Sequence, residues 1–520
     1  MWKLRFHNQI FCIFAPMKLL TNTEIRELDS YTIGHEPIRS VDLMERAAKV
    51  MTQSIVERWS NIVPIVVFAG PRNNGGDALA IARMLAEKRY NVSVYLFNTK
   101  KALSEDCALN RERIREMKTI RFEEVINEFN PPVLKKGMLV VDGLFGTGLT
   151  RPLGGGFAAL VKLINQSEAD VVSIDIPSGL MSEDNTNNIR ANIVCANLTL
   201  TLHQPKLAFF FPEYQKYIGE VKVLDIQLNA EWQRNHKATF ITLEEYDMRK
   251  LMKDRSPYSH KGSMGYSLIA AGSYGMGGAA VLATKACLRS GTGKVAVRSA
   301  RKNNDILQIS VPEAVVLLDS SEYHFTEPVD VADYDAVGIG PGLGTKEPTA
   351  IAIISQIRRA QNIPCVVDAD AINVLSTHRA WLQQLPNGTI LTPHPKEFDR
   401  LYETPAKESY ERLSHAMEMA QRLNVYILLK GHHSMVCTPT GEVFINTTGN
   451  AGMATGGSGD VLTGIITALL ARGYEQLEAA CLGMYLHGLA GDIAAEEKGV
   501  ESLIASDIVD CLPKAFQALK

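Results

Sequence analysis

Long apolar runs are missing from this 520-residue sequence: no segment approaches the ~20 residues that cross a bilayer, so no membrane-spanning helix is expected. Positive charge is not concentrated either. The formal net charge is −3 and no Lys/Arg stripe stands out, which removes the electrostatic case for nucleic acid. Paired cysteines are absent: Cys12, Cys107, Cys195, Cys287, Cys365, Cys437, Cys481 and Cys511 are scattered with no CxxC. They read as small buried hydrophobes in a reducing compartment, the cytoplasm, rather than as a disulfide or zinc framework. Twelve histidines give one adjacent pair, His432–His433, and no HExxH, so a transition-metal site is not expected. What remains is an ordinary globular composition, 46% hydrophobic and 21% charged, in a chain too long for one core. Two domains of about 200–280 residues are expected.

Residues 1–16, MWKLRFHNQIFCIFAP, hold two basic residues, no acidic ones and a short apolar patch. They lack the apolar core and cleavage site of a signal peptide. Met17 opens a stretch that reads as a domain start, so 1–16 is expected to be an extension or a miscalled start.

The most informative feature that is present is NAGMATGGSGD, Asn450–Asp460, which runs into the apolar pattern VLTGIITALLAR. Gly456, Gly457 and Gly459 let backbone N–H groups approach an anion, and the helix N-terminus adds its partial positive charge. A carboxylate there repels phosphate, so Asp460 is better used to take a proton from a hydroxyl in phosphoryl transfer. At a helix N-terminus it is expected to be ionised at neutral pH. The plainer alternative is a glycine-rich turn with Asp460 as an N-terminal helix residue.

Apolar strands alternate with helical patterns from Ile62 onward, as in IVPIVVFAG, NVSVYLFN, MLVVDGLFGTGL and ADVVSIDIPSGL. This rhythm implies a mainly parallel sheet covered on both faces, with ligand chemistry at the carboxyl ends of its strands. It fades in the polar stretch Gln227–Gly262, the best linker candidate, and resumes with YSLIAAGS, GKVAVRSA, DAVGIGPG, CVVDADA, TILTPHP and VYILLKG.

In the first half, NNGGD (Asn73–Asp77) is expected as a strand-end loop in which Gly75 and Gly76 admit a phosphate. It is neither a dinucleotide fingerprint nor a P-loop, and a turn with an Asp cap is the plain alternative. Asp142 ends a strand before the glycine-rich loop that carries Arg151, and Asp175 and Ser178 end another. Carboxylates, amides and a hydroxyl at neighbouring strand ends make an oxygen-rich pocket suited to a hard cation.

NNGGD, DGLFGTGL and DIPSG in this order resemble the epimerase domain that acts on hydrated NADH and NADPH, over about residues 17–230. The resemblance implies that Asn74, Asp142 and Ser178 coordinate potassium. It implies that Asn73, Asn74, Gly75, Gly76 and Asp77 hold the hydrated cofactor together with Gly146, Thr147, Gly148, Leu149, Thr150, Arg151 and Pro152. Asp175 then contacts it and serves as acid/base at C6 of the hydrated ring.

In the second half, AAGSYGMGGAA (Ala270–Ala280) and GIGPGLG (Gly338–Gly344) are strand-end loops open to a ligand or to tight packing. Asp368 and Asp370 end the next strand. His394 and Glu397 lie three apart, and KGHHS (Lys430–Ser434) ends another strand. With GGSGD these resemble the ribokinase-like superfamily. KGSMG, GPGLG, TPHPKE, KGHHS and GGSGDVL in series are similar to nucleotide-dependent NAD(P)H-hydrate dehydratases, over about residues 240–520.

The resemblance implies hydrate contacts from Ala279, Gly342, His394 and Asp460. It implies adenine-nucleotide contacts from Lys430, Gly431, His432, His433, Ser434 and Gly459, with ADP as the nucleotide, Mg2+ beside it and Glu397 nearby. The fold expected is α/β in two tandem three-layer domains, the first Rossmann-like and the second ribokinase-like. The expected partners are small molecules, hydrated NADH or NADPH and ADP, with neither nucleic acid nor membrane, in a homo-oligomer. The function implied is epimerisation of the R and S hydrates and ADP-dependent dehydration of the S hydrate, giving NAD(P)H, AMP and phosphate. A ribokinase-type small-molecule kinase and a non-catalytic cofactor-binding regulator are the competing readings.

Overall fold

The structure, a computed structural model, describes residues 17–520, and the expectation for 1–16 lies outside the described residues. The chain forms two compact units, one comprising Leu19–Ala238 with Glu408–Tyr410, the other Thr239–Lys407 with Glu411–Lys520. The strands in chain order are β1 Lys18–Leu19, β2 Ile65–Ala69, β3 Val92–Phe97, β4 Arg121–Val125, β5 Leu139–Gly143, β6 Asp170–Ile174, β7 Leu198–Leu202, β8 Glu220–Leu224 and β9 Phe240–Thr242. They continue as β10 Tyr266–Ala270, β11 Lys294–Ser299, β12 Val315–Leu318, β13 Ala336–Ile339, β14 Cys365–Val367, β15 Ile390–Leu391, β16 Tyr426–Leu429, β17 Met435–Cys437 and β18 Val443–Ile445.

The first unit holds a seven-stranded, wholly parallel sheet in the order β4-β3-β2-β5-β6-β7-β8. Strand residues alternate between two cores, as pleating requires. Ile65, Val67 and Ala69 pack with helices Ser40–Arg58, Asn73–Glu87 and Glu105–Arg115, whereas Val66 and Phe68 pack with helix Gly155–Gln166. Both faces are thus covered, which explains why β2 is apolar throughout and β5 is buried at every position. From β2 the chain winds outward to β4, then returns to β5 on the other side of β2. This is the strand reversal at which doubly wound sheets bind ligands.

The second unit is built on a sheet in the order β1-β9-β18-β17-β16-β15-β14-β13-β10-β11-β12. Its β10–β16 part is parallel, while β16, β17 and β18 pair antiparallel. Ala336, Val366, Ile390 and Leu428 pack with helices Ser458–Ala471 and Gln476–Lys498, and the alternate residues Val337, Val367 and Leu391 are buried as well. Its strand reversal lies between β10 and β13. Within Gln227–Gly262, read as linker, the chain places helix Ala230–Asn235, strand β9 and helix Glu245–Leu251, elements too short for an α/β rhythm to register in the sequence.

Candidate active sites

Glycines at the ends of β2 and β5 set the geometry of the first site. A Cβ on Gly70 would lie 1.8 Å from the Leu144 carbonyl oxygen, and one on Gly143 would lie 2.4 Å from the Ala78 Cβ. The segments after β2 and β5 therefore run in contact at the strand reversal. Asn73–Asp77 is the first turn of helix Asn73–Glu87 rather than a loop. Gly75 and Gly76 are buried in it: a Cβ on Gly75 would meet the Gly70 carbonyl oxygen at 1.7 Å, and one on Gly76 the Met44 side chain at 2.8 Å. Their smallness serves helix packing, and they do not line the cleft.

That cleft, of about 630 Å3, brings together Asn73, Asn74, Asp77, residues 146–151 and Asp175. Gly75, Gly76 and Pro152 are not among its lining residues. It also contains groups that the sequence reading missed, Arg26, Asp29, Arg72, His203 and Lys206. Lys206, with a side chain only 2% exposed, places Nζ 2.8 Å from Asp175 Oδ1. Leu202 N–H also donates to that oxygen, at 3.1 Å. Asp175 and His203 both take positive φ, 63° and 64°, a strained conformation that clusters at functional sites. Burial pushes the Asp29 carboxyl up to about 6, helped by the nearby Asp175 charge and opposed by Lys206. Burial, with Asp175, Asp29 and Asp106 around it, holds the Asp77 carboxyl well above the usual carboxylate range. Burial also drives the His203 imidazole down to about 4, with Lys206 adding to the effect.

Asn74 lines this cleft, Asp142 and Ser178 lie close in the chain to residues that line it, and the three differ in how well they are satisfied. Asp142 Oδ2 accepts from Ser173 Oγ and from Ser178 N–H, both at 2.8 Å, and Oδ1 accepts from Ser178 Oγ. Burial still lifts its carboxyl above the usual range. Ser178 Oγ in turn accepts from Phe145 N–H at 2.9 Å. The buried side-chain nitrogen of Asn74, an N–H donor, has no hydrogen-bond acceptor.

In the second unit the loops after β10 and β13 are pinned together. Ser273 donates its N–H and its Oγ–H to the Gly342 carbonyl, at 2.6 and 2.9 Å, and Gly272 N–H donates to Pro341. Gly342 takes φ 61°, and a Cβ there would sit 3.0 Å from that of Ala279, itself only 8% exposed on helix Gly277–Arg289. Gly344 N–H donates to Asp370 Oδ2 at 2.8 Å.

Beside these loops, Asp368 at the end of β14 binds Lys430 Nζ at 2.8 Å and accepts from Thr463 Oγ1 at 2.7 Å. The contact ties the β16 end to helix Ser458–Ala471. Gly457 caps that helix at φ 91°, and no side chain caps it, which leaves first-turn N–H groups free for an anion. A Cβ on Gly459 would come within 3.2 Å of Lys430 Nζ, so Asp460, Gly459, Lys430 and Asp368 form one cluster. Gly456 faces open space.

The expectation of an ionised Asp460 is corrected. Burial lifts its carboxyl to about 7, with Asp368 adding to the rise, Lys430 opposing it, and Asp370 and Glu397 adding further. The helix N-terminus does not outweigh that crowd of carboxylates. A carboxyl so placed can accept a proton near neutral pH.

His394 caps helix Pro395–Tyr402. Its Nδ1 accepts from Lys396 N–H and Glu397 N–H at 3.1 and 3.2 Å, and Glu397 Oε2 accepts from His394 N–H. With Nδ1 committed as acceptor, the neutral ring carries its proton on Nε2. Burial lowers its proton affinity and Glu397 opposes that. Of the Lys430–Ser434 turn, Gly431 and His432 are exposed, whereas His433 bonds the Asn446 carbonyl through Nδ1 and is pushed down to about 4 by burial. No cluster of His, Cys, Asp and Glu able to hold a metal occurs among the described residues. None of their helices is long and apolar enough to cross a membrane.

A family model described as NAD(P)H-hydrate dehydratase matches residues 267–514, and one described as YjeF-related protein N-terminus matches 40–208. The bifunctional NAD(P)H-hydrate repair enzyme Nnr of Moorella thermoacetica is 34% identical over 519 residues, 97% of each chain. That of Escherichia coli is 31% identical over 91% of this chain and 89% of its own length. Among solved structures, the ADP/ATP-dependent NAD(P)H-hydrate dehydratase of Bacillus subtilis co-crystallized with ATP/Mg2+ is 31% identical, covering 53% of this chain and 98% of that one, with a TM-score of 0.48.

Proposed function

The chain belongs to the family of bifunctional NAD(P)H-hydrate repair enzymes, and from that premise we propose which of its residues carry each half of the repair. It is an NAD(P)H-hydrate epimerase and an NAD(P)H-hydrate dehydratase. A stand-alone kinase or a non-catalytic regulator does not account for relatives that match across both units.

The epimerase is assigned to the first cleft. Inverting C6 of the hydrated ring requires loosening a bond there and moving a proton. Asp175 moves it, oriented by Lys206 and Leu202 N–H. Asp29, whose carboxyl burial lifts to about 6, supplies a second group able to exchange a proton with the ring. Asn73, Asp77 and residues 146–151 hold the hydrate. A hard monovalent cation is assigned to Asn74, Asp142 and Ser178, whose side chains supply amide, carboxylate and hydroxyl oxygens. Potassium bound there would fix the loop after β5 and supply positive charge.

The dehydratase is assigned to the second unit. Hydroxide leaves poorly and phosphate leaves well, so the C6 hydroxyl is first phosphorylated by a nucleotide, ADP in this reading, yielding AMP. Asp460 takes the hydroxyl proton as the P–O bond forms, and loss of phosphate with a ring proton restores the dihydronicotinamide. The free N–H groups at the helix start and Lys430 stabilise the transferring charge. Gly431–Ser434 and Gly459 hold the nucleotide, and Gly342, Ala279 and the Nε2 side of His394 hold the hydrate. Mg2+ would enter with the nucleotide and neutralise its phosphates.

The observation that carries the reading is Asp460, lifted to about 7, beside an uncapped helix N-terminus and the Lys430–Asp368 pair. Hydrated NADH with ADP or ATP should regain dihydronicotinamide absorbance in the presence of the protein. No recovery with either nucleotide would refute the assignment of this site.

A further inference from the structure

Only the hydrated ring of the dinucleotide needs Asp175 and Lys206, so its pyrophosphate and adenosine must lie elsewhere. Arg26, Arg72 and Arg151 line the same cleft, and none of the three has an ion-pair partner among the described residues. The Asp175 carboxylate, with Asp29 beside it, makes that end of the cleft unfavourable for phosphate. A bound dinucleotide therefore turns its ring toward the acids and its phosphates toward the arginines.

Arg26 stands at a junction. Besides the cleft, it lines a shallow groove of about 530 Å3 with Thr23, Glu27, Ser30, Tyr31 and Trp232. Its Nη2 would lie only 3.0 Å from a Cβ on Gly148, which sets the guanidinium against the glycine-rich loop of the cleft. The groove's two aromatic rings are each held by an imidazole. Tyr31 stacks on His35 at 3.6 Å between centroids, and Trp232 on His236 at 4.2 Å, with His236 Nε2 anchored to Glu24 Oε1 at 2.7 Å.

Resting on the epimerase reading of the cleft, we infer that this groove receives the adenosine half of the substrate, with adenine against Tyr31 and Trp232 and pyrophosphate at Arg26. Immobilised aromatic rings stack bases without needing a hydrogen-bond code. A guanidinium fork matches phosphate oxygens. Glu27, the groove's one anion, offers an acceptor to a ribose hydroxyl.

The test follows exchange between R and S hydrates by NMR, with full-length protein and no nucleotide, so that dehydration does not run. Two substrates are compared: hydrated NADH, and hydrated reduced nicotinamide mononucleotide, which lacks the adenylate half. The unaltered protein should show a KM about tenfold or more lower for the dinucleotide at similar kcat. Tyr31→Ser with Trp232→Leu should raise the dinucleotide KM toward that of the mononucleotide and leave the mononucleotide unaffected. Trp232→Phe, which keeps a stacking ring, should restore most of the difference. Arg26→Gln should raise the dinucleotide KM. Trp232 packs against the core, so if the double variant fails to fold, Tyr31→Ser alone decides. Equal KM values for the two substrates, or a ratio unmoved by folded groove variants, would overturn the inference while leaving the epimerase reading intact. Absence of exchange with either substrate would instead remove that reading, and the inference with it.

Discussion

Replacing Asp460 with Asn separates catalysis from stability. The native carboxyl releases its proton at about 7, the unfolded one near 3.8. Between those values the native state holds the extra proton, so stability falls as pH rises through the window, and the loss is complete above about 7. The gap corresponds to roughly 4 kcal/mol at 1.36 kcal/mol per tenfold change. Solvent at the partly exposed carboxylate and the Lys430 charge reduce what is realised to about 1–3 kcal/mol. Asn cannot ionise, and it removes this penalty while keeping size and shape. Asp460→Asn should therefore unfold at higher denaturant than the unaltered protein at about pH 8, with the advantage vanishing below about pH 4. The same change removes the proposed base, so dehydration should fall by roughly two to four orders of magnitude. Denaturant titrations at several pH values, paired with absorbance assays, read both effects. A variant less stable at about pH 8, or a gain that does not grow with pH, would refute the burial argument.

Three further outcomes are expected. Lys206→Met breaks a buried pair with Asp175 and should lower the stability of the first unit by about 3 kcal/mol and slow epimerisation, with dehydration unchanged, as thermal melts and epimer exchange would report. Gly457→Ala forces a side chain into φ 91° and sets its Cβ 2.4 Å from Leu282 Cδ1, so it should destabilise the second unit by at least about 2 kcal/mol in denaturant melts and disturb Asp460. Epimerisation should respond to potassium in cation-substitution assays and be indifferent to chelation of transition metals, since the ligands proposed, Asn74, Asp142 and Ser178, offer oxygen rather than sulfur or imidazole.

The legible parts of the site were those marked by local chemistry. Asp460 after a run of glycines, Asp142 and Asp175 at strand ends, and Lys430 closing an apolar strand all announce themselves within a few residues. Asp368 was visible at a strand end, yet its tie to Lys430 spans 62 residues and depends on β14 and β16 flanking β15. Lys206 and His203 follow β7 in an unremarkable LHQPK stretch, and Asp29 and Arg26 sit on an ordinary amphipathic helix. Only the sheet's winding brings them to Asp175. NNGGD misled in one respect: its glycines signalled ligand approach, whereas Gly75 and Gly76 are small because Gly70 and Met44 press on them. Local sequence likewise could not report the proton affinity of Asp460, because the four charges that help set it, Asp368, Lys430, Asp370 and Glu397, all come from distant segments.

The central claim is that two separate sites divide the repair, and reciprocal substitutions test it most directly. A mixture of R and S hydrates of NADPH is given ADP and Mg2+, and both the restored dihydronicotinamide and the epimer ratio are followed. Asp175→Asn should consume the S hydrate at the normal rate and then slow to spontaneous epimerisation. Asp460→Asn should restore almost no dihydronicotinamide while epimer exchange continues unimpaired. Loss of both activities in folded Asp460→Asn would contradict the two-site account and point to one shared active site.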